Sequence, residues 1–283
     1  MNQKPIIALL YDFDKTLCTT DMEDYSFIPS LGYTPAQFWQ KANNFGWENQ
    51  MDGLLAYMYT MIEECRAQGK TLNRDYLVQC GKAIELFPGV REWFDRIDAF
   101  GDSLGVTVEH YVLSSGLKEI IEGTPIAKEF KEIYAASFCY DEHGVACWPA
   151  MAVNYTSKTQ FLFRVNKGVL DVTEHRALNE FMPEEKRRVP FSNMIYIGDG
   201  LTDVPSMKLT KLNGGHSIAV WQEDEQISNE MLLEGRVDFA VKADYSRGSD
   251  MEKMVFAIID QIAASAKTAQ MHVAACDRAK NAV

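Results

Sequence analysis

The sequence lacks a long hydrophobic run. Near the N-terminus, residues 6–11 form one short apolar stretch, which is bounded by Pro5 and Asp12. This stretch is too short to supply the core and cleavage site of a signal peptide, and far too short to cross a bilayer. We therefore expect a cytoplasmic protein that does not bind a membrane.

Paired metal-binding cysteines and histidines are also absent. No two of the six cysteines are spaced as C-x-x-C, and the five histidines show no metal-ligand spacing. A structural zinc site is therefore not expected. Scattered cysteines in a chain of this length are typical of buried, reduced thiols; they are Cys18, Cys65, Cys80, Cys139, Cys147 and Cys276.

Positive charge is in deficit. The chain has 28 Lys+Arg against 40 Asp+Glu, a formal net charge of −12. An acidic surface repels phosphodiester backbones, so we expect no nucleic-acid partner, although one local cation could hold a small anionic substrate. With 47% hydrophobic and 24% charged residues, the chain has enough apolar material for a globular core.

Three short apolar runs are present, at residues 6–11, 107–113 and 194–197. A continuous hydrophobic stretch without alternation is typical of a strand buried on both faces of a parallel sheet. Each run precedes a segment that can be helical. We therefore predict an α/β fold, with a doubly wound (Rossmann-like) parallel sheet.

A helical unit is predicted between the first strand and the rest of the sheet. Apolar residues recur at helical spacing in residues 35–43, 51–67 and 73–86, and Pro88-Gly89 marks the return to the core. We predict two domains. The core domain is formed by residues 1–18 and 87–283, and an inserted helical cap domain is formed by residues 19–86. Three further helices are predicted, at residues 90–100, at 160–165 and from 251 onward. A hairpin is predicted at residues 135–156, with its turn at 141–144.

Polar side chains follow all three predicted strands. Asp12 and Asp14 follow the first, Ser114 the second, and Asp199 and Asp203 the third. Because ligands bind beyond the carboxyl ends of parallel strands, we expect the four carboxylates to converge there. Like charges so close require a cation, and Mg²⁺ fits because it needs only one or two carboxylates plus substrate oxygens and waters.

The order of these motifs resembles the haloacid dehalogenase (HAD) superfamily, and most closely its phosphoserine-phosphatase-like branch. The matching residues are D-x-D-x-T at 12–16, a hydrophobic strand ending in Ser114, a lysine, and G-D-G-x-T-D at 198–203. The resemblance covers the core from residue 6 to 207, while the helical insert matches in position and character only. It implies a Mg²⁺-dependent phosphatase that hydrolyses a small-molecule phosphate monoester through an aspartyl-phosphate intermediate.

The resemblance also implies a role for each residue of the first and second motifs. Asp12 would attack phosphorus, and Asp14 would act as the general acid and base. The Thr16 hydroxyl would tie down the loop. Ser114 and the backbone N–H of Ser115 would bind phosphate oxygens, although Ser115 is at least as good a candidate for a helix N-cap.

A lysine and the fourth motif complete the implied site. Lys158 would bind phosphate, and we favour it over Lys167 because it lies at a strand-to-helix junction on the same rim. The implied metal ligands are Asp12, the backbone carbonyl of Asp14, and Asp199, with Asp203 holding a metal-bound water or a second-shell position.

The comparison of the motifs with those of phosphoserine phosphatases leaves the identity of the substrate open. Ser115 replaces the first of two glycines that phosphoserine phosphatases usually carry after the motif-two serine. Asp21 falls where those phosphatases place an acidic residue that holds the substrate's amino group, but a solvated acidic loop is the favoured interpretation of Asp21, Glu23 and Asp24. The expected partner is a small phosphorylated metabolite. A phosphotransferase or phosphomutase, and a non-catalytic binding protein, remain alternatives.

Overall fold

The computed structural model describes residues 4–280 and contains a seven-stranded sheet of order β4-β3-β2-β1-β5-β6-β7. All pairs are parallel except β3 with β4, which is antiparallel at one edge. The predicted α/β fold with a largely parallel sheet is thus confirmed. The strands are β1 (Ile6–Tyr11), β2 (Thr107–Leu117), β3 (Glu132–Tyr140), β4 (Ala146–Met151), β5 (Met194–Gly198), β6 (His216–Trp221) and β7 (Phe239–Lys242).

Strand β1 is the middle strand of the sheet, and all six of its residues are hydrophobic and buried. Alternate residues pack on opposite faces, with Ile7 and Leu9 in one hydrophobic cluster and Ala8 and Leu10 in the other. A strand covered on both faces needs this uninterrupted apolar pattern. The register pairs Tyr11 with Val112 of β2 and with Ile197 of β5, so the three strands reach the same edge together.

Helices cover both faces of the sheet. The longest, at the C-terminal end, has 31 residues. No helix in residues 4–280 combines the length and apolarity required to cross a membrane. The helices are α1 (Met22–Tyr25), α2 (Phe27–Ser30), α3 (Pro35–Glu48), α4 (Gly53–Ala67), α5 (Arg74–Gly81), α6 (Val90–Ser103), α7 (Lys118–Glu122), α8 (Thr159–Lys167), α9 (Arg176–Asn179), α10 (Val204–Leu212), α11 (Gln226–Leu233) and α12 (Asp250–Lys280).

In the sequence, helices α1 to α5 follow β1 and precede α6, and they lie within the segment predicted to be helical. The Thr34 hydroxyl accepts a hydrogen bond from the backbone of Gln37, whose side chain bonds back to the Thr34 backbone, so a capping box begins α3. The Asp52 carboxylate accepts from two backbone N–H groups at the start of α4. These caps fix where the two long helices of the insert begin. The division into domains at 19 and 86 stays a prediction.

One predicted strand end was wrong. Strand β2 continues past Ser114 to Leu117, and α7 begins at Lys118 rather than at Gly116. Ser115 is therefore no helix N-cap; the residue before α7 is Leu117, which makes no side-chain cap. The strand continues because its ladder with β3 resumes at Leu117, after a register shift that follows Ser114.

Candidate active site

The loop after β1 buries Asp12 and fixes its orientation. The backbone N–H of Asp12 donates to the carbonyl of Ile197 at 2.9 Å, which extends the pairing with β5 by one residue. Its Oδ1 accepts from the backbone N–H of Phe13 at 2.7 Å. Phe13 is itself fully buried and anchors the loop. The carboxylate of Asp12 is thus held at the carboxyl edge of the sheet.

Lys158 lies between two carboxylates at this edge. Its Nζ is 3.0 Å from Oδ2 of Asp12 and 2.7 Å from Oδ1 of Asp203, and the side chain is fully buried. Burial alone would lower the pKa of Lys158, but the charges of Asp12 and Asp203 outweigh it and hold the pKa above its ordinary value. The lysine therefore stays charged between the two carboxylates.

Asp203 is fixed by a second donor. The buried Tyr196 hydroxyl donates to its Oδ1 at 2.7 Å. Gly198 makes room for the other oxygen, since a Cβ at this position would lie 2.5 Å from Oδ2 of Asp203. One oxygen of Asp203 is thus shared by Lys158 and Tyr196, and the other faces the turn after β5.

Asp12, Asp199 and Asp203 form a cluster whose carboxylate oxygens lie within 4.8 Å of one another. Burial, then the charge of Asp203, raises the pKa of Asp12 well above its usual range, and the same two causes raise that of Asp199 to about 7. A single lysine does not neutralise three carboxylates. Oxygen donors at this spacing, with excess negative charge, fit a hard divalent cation such as Mg²⁺.

Asp14 lies in the same loop, two residues after Asp12. Its Oδ1 accepts from the backbone N–H of Met22 at 2.9 Å. A Cβ on Gly116 would come within 2.7 Å of its Oδ2, so only glycine lets the carboxylate lie this close to β2. Burial, and then the nearby carboxylate of Glu23, raises the pKa of Asp14 well above its usual range. The surroundings of Asp14 therefore favour the protonated form of its carboxyl.

The serines after the apolar part of β2 have different environments. Ser114 is fully buried, and its Oγ accepts from the backbone N–H of Gly116 at 3.0 Å. The Oγ of Ser115 is buried without a hydrogen-bond partner among the described residues. The Ser115 carbonyl accepts from the hydroxyl of Tyr57, at 3.0 Å, which ties α4 to the sheet.

Three other sequence-predicted residues lie in different surroundings. The Nζ of Lys167 donates to the carbonyls of Leu178 and Glu180, away from the carboxylate cluster. The expectation for Thr16 was wrong, because its buried hydroxyl makes no hydrogen bond to any described residue. Asp21 accepts from Nζ of Lys15 through both oxygens, at 2.8 and 2.7 Å.

A cavity of about 280 Å³ lies between the helical insert and the carboxyl edge of the sheet. Asp14, Ser115 and Gly116 line its core side, and Asp21, Glu23, Trp39 and Tyr57 are among the insert residues that line the other. A volume of this size suits a small metabolite. The catalytic candidate Asp14 therefore faces a space that the insert partly encloses.

The sequence matches a known protein family. A sequence model of the haloacid dehalogenase-like hydrolases matches residues 9–208. The chain belongs to this family. The matched range begins in β1 and ends in α10, so it includes the insert and every residue of the carboxylate cluster.

Two relatives of this HAD hydrolase match along most of their length. An uncharacterized protein of Borreliella burgdorferi is 25% identical over 281 residues, covering 89% of this chain and 96% of that protein. Inorganic pyrophosphatase 2 of Arabidopsis thaliana is 25% identical over 263 residues, covering 92% of this chain and 86% of that protein. An apo phosphoserine phosphatase structure shares the fold, with a TM-score of 0.54 and 15% identity over 84% of this chain and 94% of that one. The predicted membership of the superfamily is confirmed.

Two residues of this HAD hydrolase's site were missed in the sequence. Tyr196 belongs to an apolar run, which predicts a core position, and its hydroxyl connects it to the site by donating to Asp203. Glu23 was interpreted as part of a solvated loop, yet it is 2% exposed. Burial raises the pKa of Glu23 to about 8. The apolar residues around it, at 22 and 27–28, were the available signal, because they bury the loop that carries it.

Proposed function

We propose that this HAD hydrolase is a Mg²⁺-dependent phosphatase of small phosphate monoesters and acts through an aspartyl-phosphate. The observation that carries the proposal is the environment of Asp12. One of its oxygens is held by the backbone N–H of Phe13 and the other by the buried ammonium of Lys158, within a cluster of carboxylates. A nucleophile positioned beside a fixed cation is what phosphoryl transfer requires.

Asp12 and Asp14 divide the chemistry. A carboxylate oxygen of Asp12 attacks phosphorus while the bond from phosphorus to the alcohol oxygen breaks, and that oxygen takes the proton of Asp14. Water then attacks the aspartyl-phosphate, gives its proton to Asp14, and releases phosphate and free Asp12. The raised pKa of Asp14, caused first by burial, supports its role as the proton donor of the first step.

Ser114, Ser115 and Lys158 would bind the phosphate oxygens. Lys158 supplies a full positive charge next to Asp12. The Ser115 hydroxyl is buried and has no hydrogen-bond partner within residues 4–280, so it has a hydrogen bond to give a ligand. Together they would offset the repulsion between an anionic nucleophile and an anionic substrate.

A divalent ion would be held by Asp12, Asp199 and Asp203, with the backbone carbonyl of Asp14 as a further ligand. The donor set supports this assignment, because three carboxylates with oxygens within 4.8 Å retain negative charge after pairing with Lys158. When bound, the ion would neutralise charge on the phosphate as the reaction proceeds.

The helical segment 19–86 would act as a cap over the cavity. Its attachments to the core support this, since Tyr57 donates to the Ser115 carbonyl and Asp52 accepts from the side chain of Asn154 at 2.8 Å. By closing over the substrate, such a segment would exclude bulk water and select the leaving group.

Metal removal tests the proposal directly. We expect the purified protein to release phosphate from p-nitrophenyl phosphate with millimolar Mg²⁺, and to lose that activity when EDTA is added. Adding Mg²⁺ in excess of the chelator should restore it. Release that is unaffected by EDTA would reject the metal requirement. If added alcohols received the phosphoryl group in preference to water, the phosphotransferase alternative would replace the phosphatase.

Lys158 and Lys167 provide a matched pair for mutation. We expect Lys158→Met to lower turnover of p-nitrophenyl phosphate roughly a hundredfold, because a fixed cation is lost from beside the nucleophile. Lys167→Met should change turnover little, since the Nζ of Lys167 donates to the backbone carbonyls of Leu178 and Glu180, away from the carboxylate cluster. Steady-state rates measure both effects.

Stability has to be followed in the same variants. Removal of Lys158 leaves two buried carboxylates unpaired, so thermal unfolding should be recorded with and without Mg²⁺. Lys158→Arg keeps the charge and should recover part of the activity. A folded Lys158→Met protein with normal turnover would contradict the assigned role.

A further inference from the structure

The helical segment is hydrogen-bonded to the core at the turn that carries Lys158. The side-chain amide of Asn154 donates from Nδ2 to Oδ2 of Asp52 at 2.8 Å, across 102 positions of the chain. Asn154 itself lines the cavity, and so does Gly53, the residue after Asp52. This bond between the two parts of the chain therefore lies beside the space that the substrate would occupy.

Asp52 uses its two carboxylate oxygens differently. Its Oδ1 accepts from the backbone N–H groups of Leu54 and Leu55, at 3.0 and 3.3 Å, where α4 begins. Its Oδ2 is the acceptor for Asn154. Because the backbone of α4 holds this carboxylate, a displacement of α4 would move the acceptor away from Asn154.

On the core side, Asn154 precedes the single helical turn that ends at Lys158. Its carbonyl accepts from the backbone N–H groups of Ser157, at 2.7 Å, and of Lys158, at 3.3 Å. Its own backbone N–H donates to Oγ of Ser157 at 2.7 Å. The backbone of Lys158 is thus bonded to the residue that the helical segment holds.

Tyr155 shows that this turn is under strain. Its φ is +35°, in the left-handed region that a bulky residue rarely adopts. Such a conformation persists only where the surrounding structure holds it. The bonds that Asn154 makes, to Asp52 on one side and to Ser157 on the other, adjoin the strained residue. Loss of the Asp52 bond would let the turn relax, and Lys158 would move with it.

The placement of Lys158 is sensitive to such a movement. Its Nζ lies 3.0 Å from Oδ2 of Asp12 and 2.7 Å from Oδ1 of Asp203, and bonds of this kind weaken steeply when their geometry is lost. We propose that Asn154 is a positioning residue, whose bond to Asp52 couples closure of the helical segment to the placement of Lys158. This inference rests on the proposed phosphatase function, in which Lys158 binds phosphate.

Exchange of the two bonded side chains tests the coupling. Asn154→Asp places a carboxylate opposite Asp52 and should lower kcat/KM for p-nitrophenyl phosphate roughly tenfold, as for the loss of one hydrogen bond to a charged group. Asp52→Asn should also lower it, because the amide oxygen is needed at the start of α4 and the amide nitrogen then faces another donor. The double variant Asp52→Asn/Asn154→Asp reverses donor and acceptor, and both residue types can cap a helix. It should recover kcat/KM to within about twofold of wild type.

Asn179→Asp is the matched control. It makes the same change at an exposed asparagine of α9, whose side chain donates to the carbonyl of His175. This variant should keep the wild-type kcat/KM. Thermal midpoints of all the variants show whether any loss of activity is a loss of folded protein.

A second set of variants tests whether Asn154 acts through Lys158. In the Lys158→Met background, Asn154→Asp should change kcat/KM by less than about twofold, because the side chain that Asn154 positions is absent. A residue that only attached the helical segment to the core would cause the same loss in both backgrounds. The readout is a ratio within each background, so the low activity of Lys158→Met does not affect it.

The outcomes separate this inference from the proposed function. Wild-type turnover by Asn154→Asp, a double variant no more active than the single ones, or an equal loss in the Lys158→Met background would each overturn the coupling and leave the phosphatase intact. If the wild-type protein hydrolysed no p-nitrophenyl phosphate with Mg²⁺, the proposed function and the coupling would be rejected together.

Discussion

Asp12→Asn is expected to lower the release of phosphate from p-nitrophenyl phosphate by at least about a thousandfold, as the loss of a covalent nucleophile does in other enzymes. Asparagine has nearly the same shape as aspartate, and its amide oxygen can still accept from the backbone N–H of Phe13. What it lacks is a carboxylate oxygen able to bond to phosphorus. The rate of p-nitrophenol formation under saturating Mg²⁺ measures the effect.

The variant should remain folded. The pKa of Asp12 is raised first by burial and then by Asp203, so its charge is unfavourable in the metal-free protein. Removing that charge leaves Lys158 paired with Asp203. We expect circular dichroism and the thermal midpoint without metal to show no loss of structure. Asp75→Asn, an exposed change on α5, is the control for activity. Full turnover by Asp12→Asn would remove Asp12 as the nucleophile.

The carboxylates that follow β1 and β5 could be predicted because each adjoins an uninterrupted apolar run. Asp12 and Asp199 directly follow β1 and β5, which pair in parallel with Tyr11 opposite Ile197. Once both runs are taken as neighbouring strands, their following residues must lie at one edge of the sheet. The position of these carboxylates thus depends on local sequence and on one rule of sheet geometry.

Residues that reach the site through packing were harder to predict. Lys158 lies in a single helical turn before α8, 146 positions after Asp12. Its strand-to-helix junction favours it over Lys167, but the local sequence alone does not indicate its contact with Asp12. Glu23 looks solvated beside Asp21 and Asp24, but Met22 and Phe27 are fully buried and draw the loop inward. Its burial follows from tertiary contacts that charge patterning does not contain.

The sheet itself was only partly predicted. Strands β6 and β7 were missed, and with them α11. Strand β7 has four residues, of which only Val241 is buried, so it has no long apolar run to identify it. These elements enlarge the sheet on the side away from the helical insert, and the site at β1, β2 and β5 does not depend on them.

Asp14→Asn is expected to slow the hydrolysis of alkyl phosphates more than that of p-nitrophenyl phosphate. An alkoxide is a poor leaving group and needs the proton of Asp14, whereas p-nitrophenolate leaves with little assistance. We expect a fall of roughly a hundred- to ten-thousandfold with ethylene glycol monophosphate, the usual range for a lost general acid or base. The amide oxygen can still accept from the backbone N–H of Met22, so the loop should keep its conformation.

Hydrolysis of the aspartyl-phosphate, the second chemical step, gives a more direct test of Asp14 as the proton acceptor. Without Asp14 to take a proton from water, hydrolysis of the aspartyl-phosphate should become slower than its formation from p-nitrophenyl phosphate. Rapid quenching should then show a burst of p-nitrophenol, and intact-protein mass spectrometry should show one added phosphoryl group, which Asp12→Asn does not acquire. Equal slowing of both esters, with no burst and no added mass, would mean that Asp14 does not transfer the proton. Its contacts with Met22 and the neighbouring Gly116 would then be its contribution to the site.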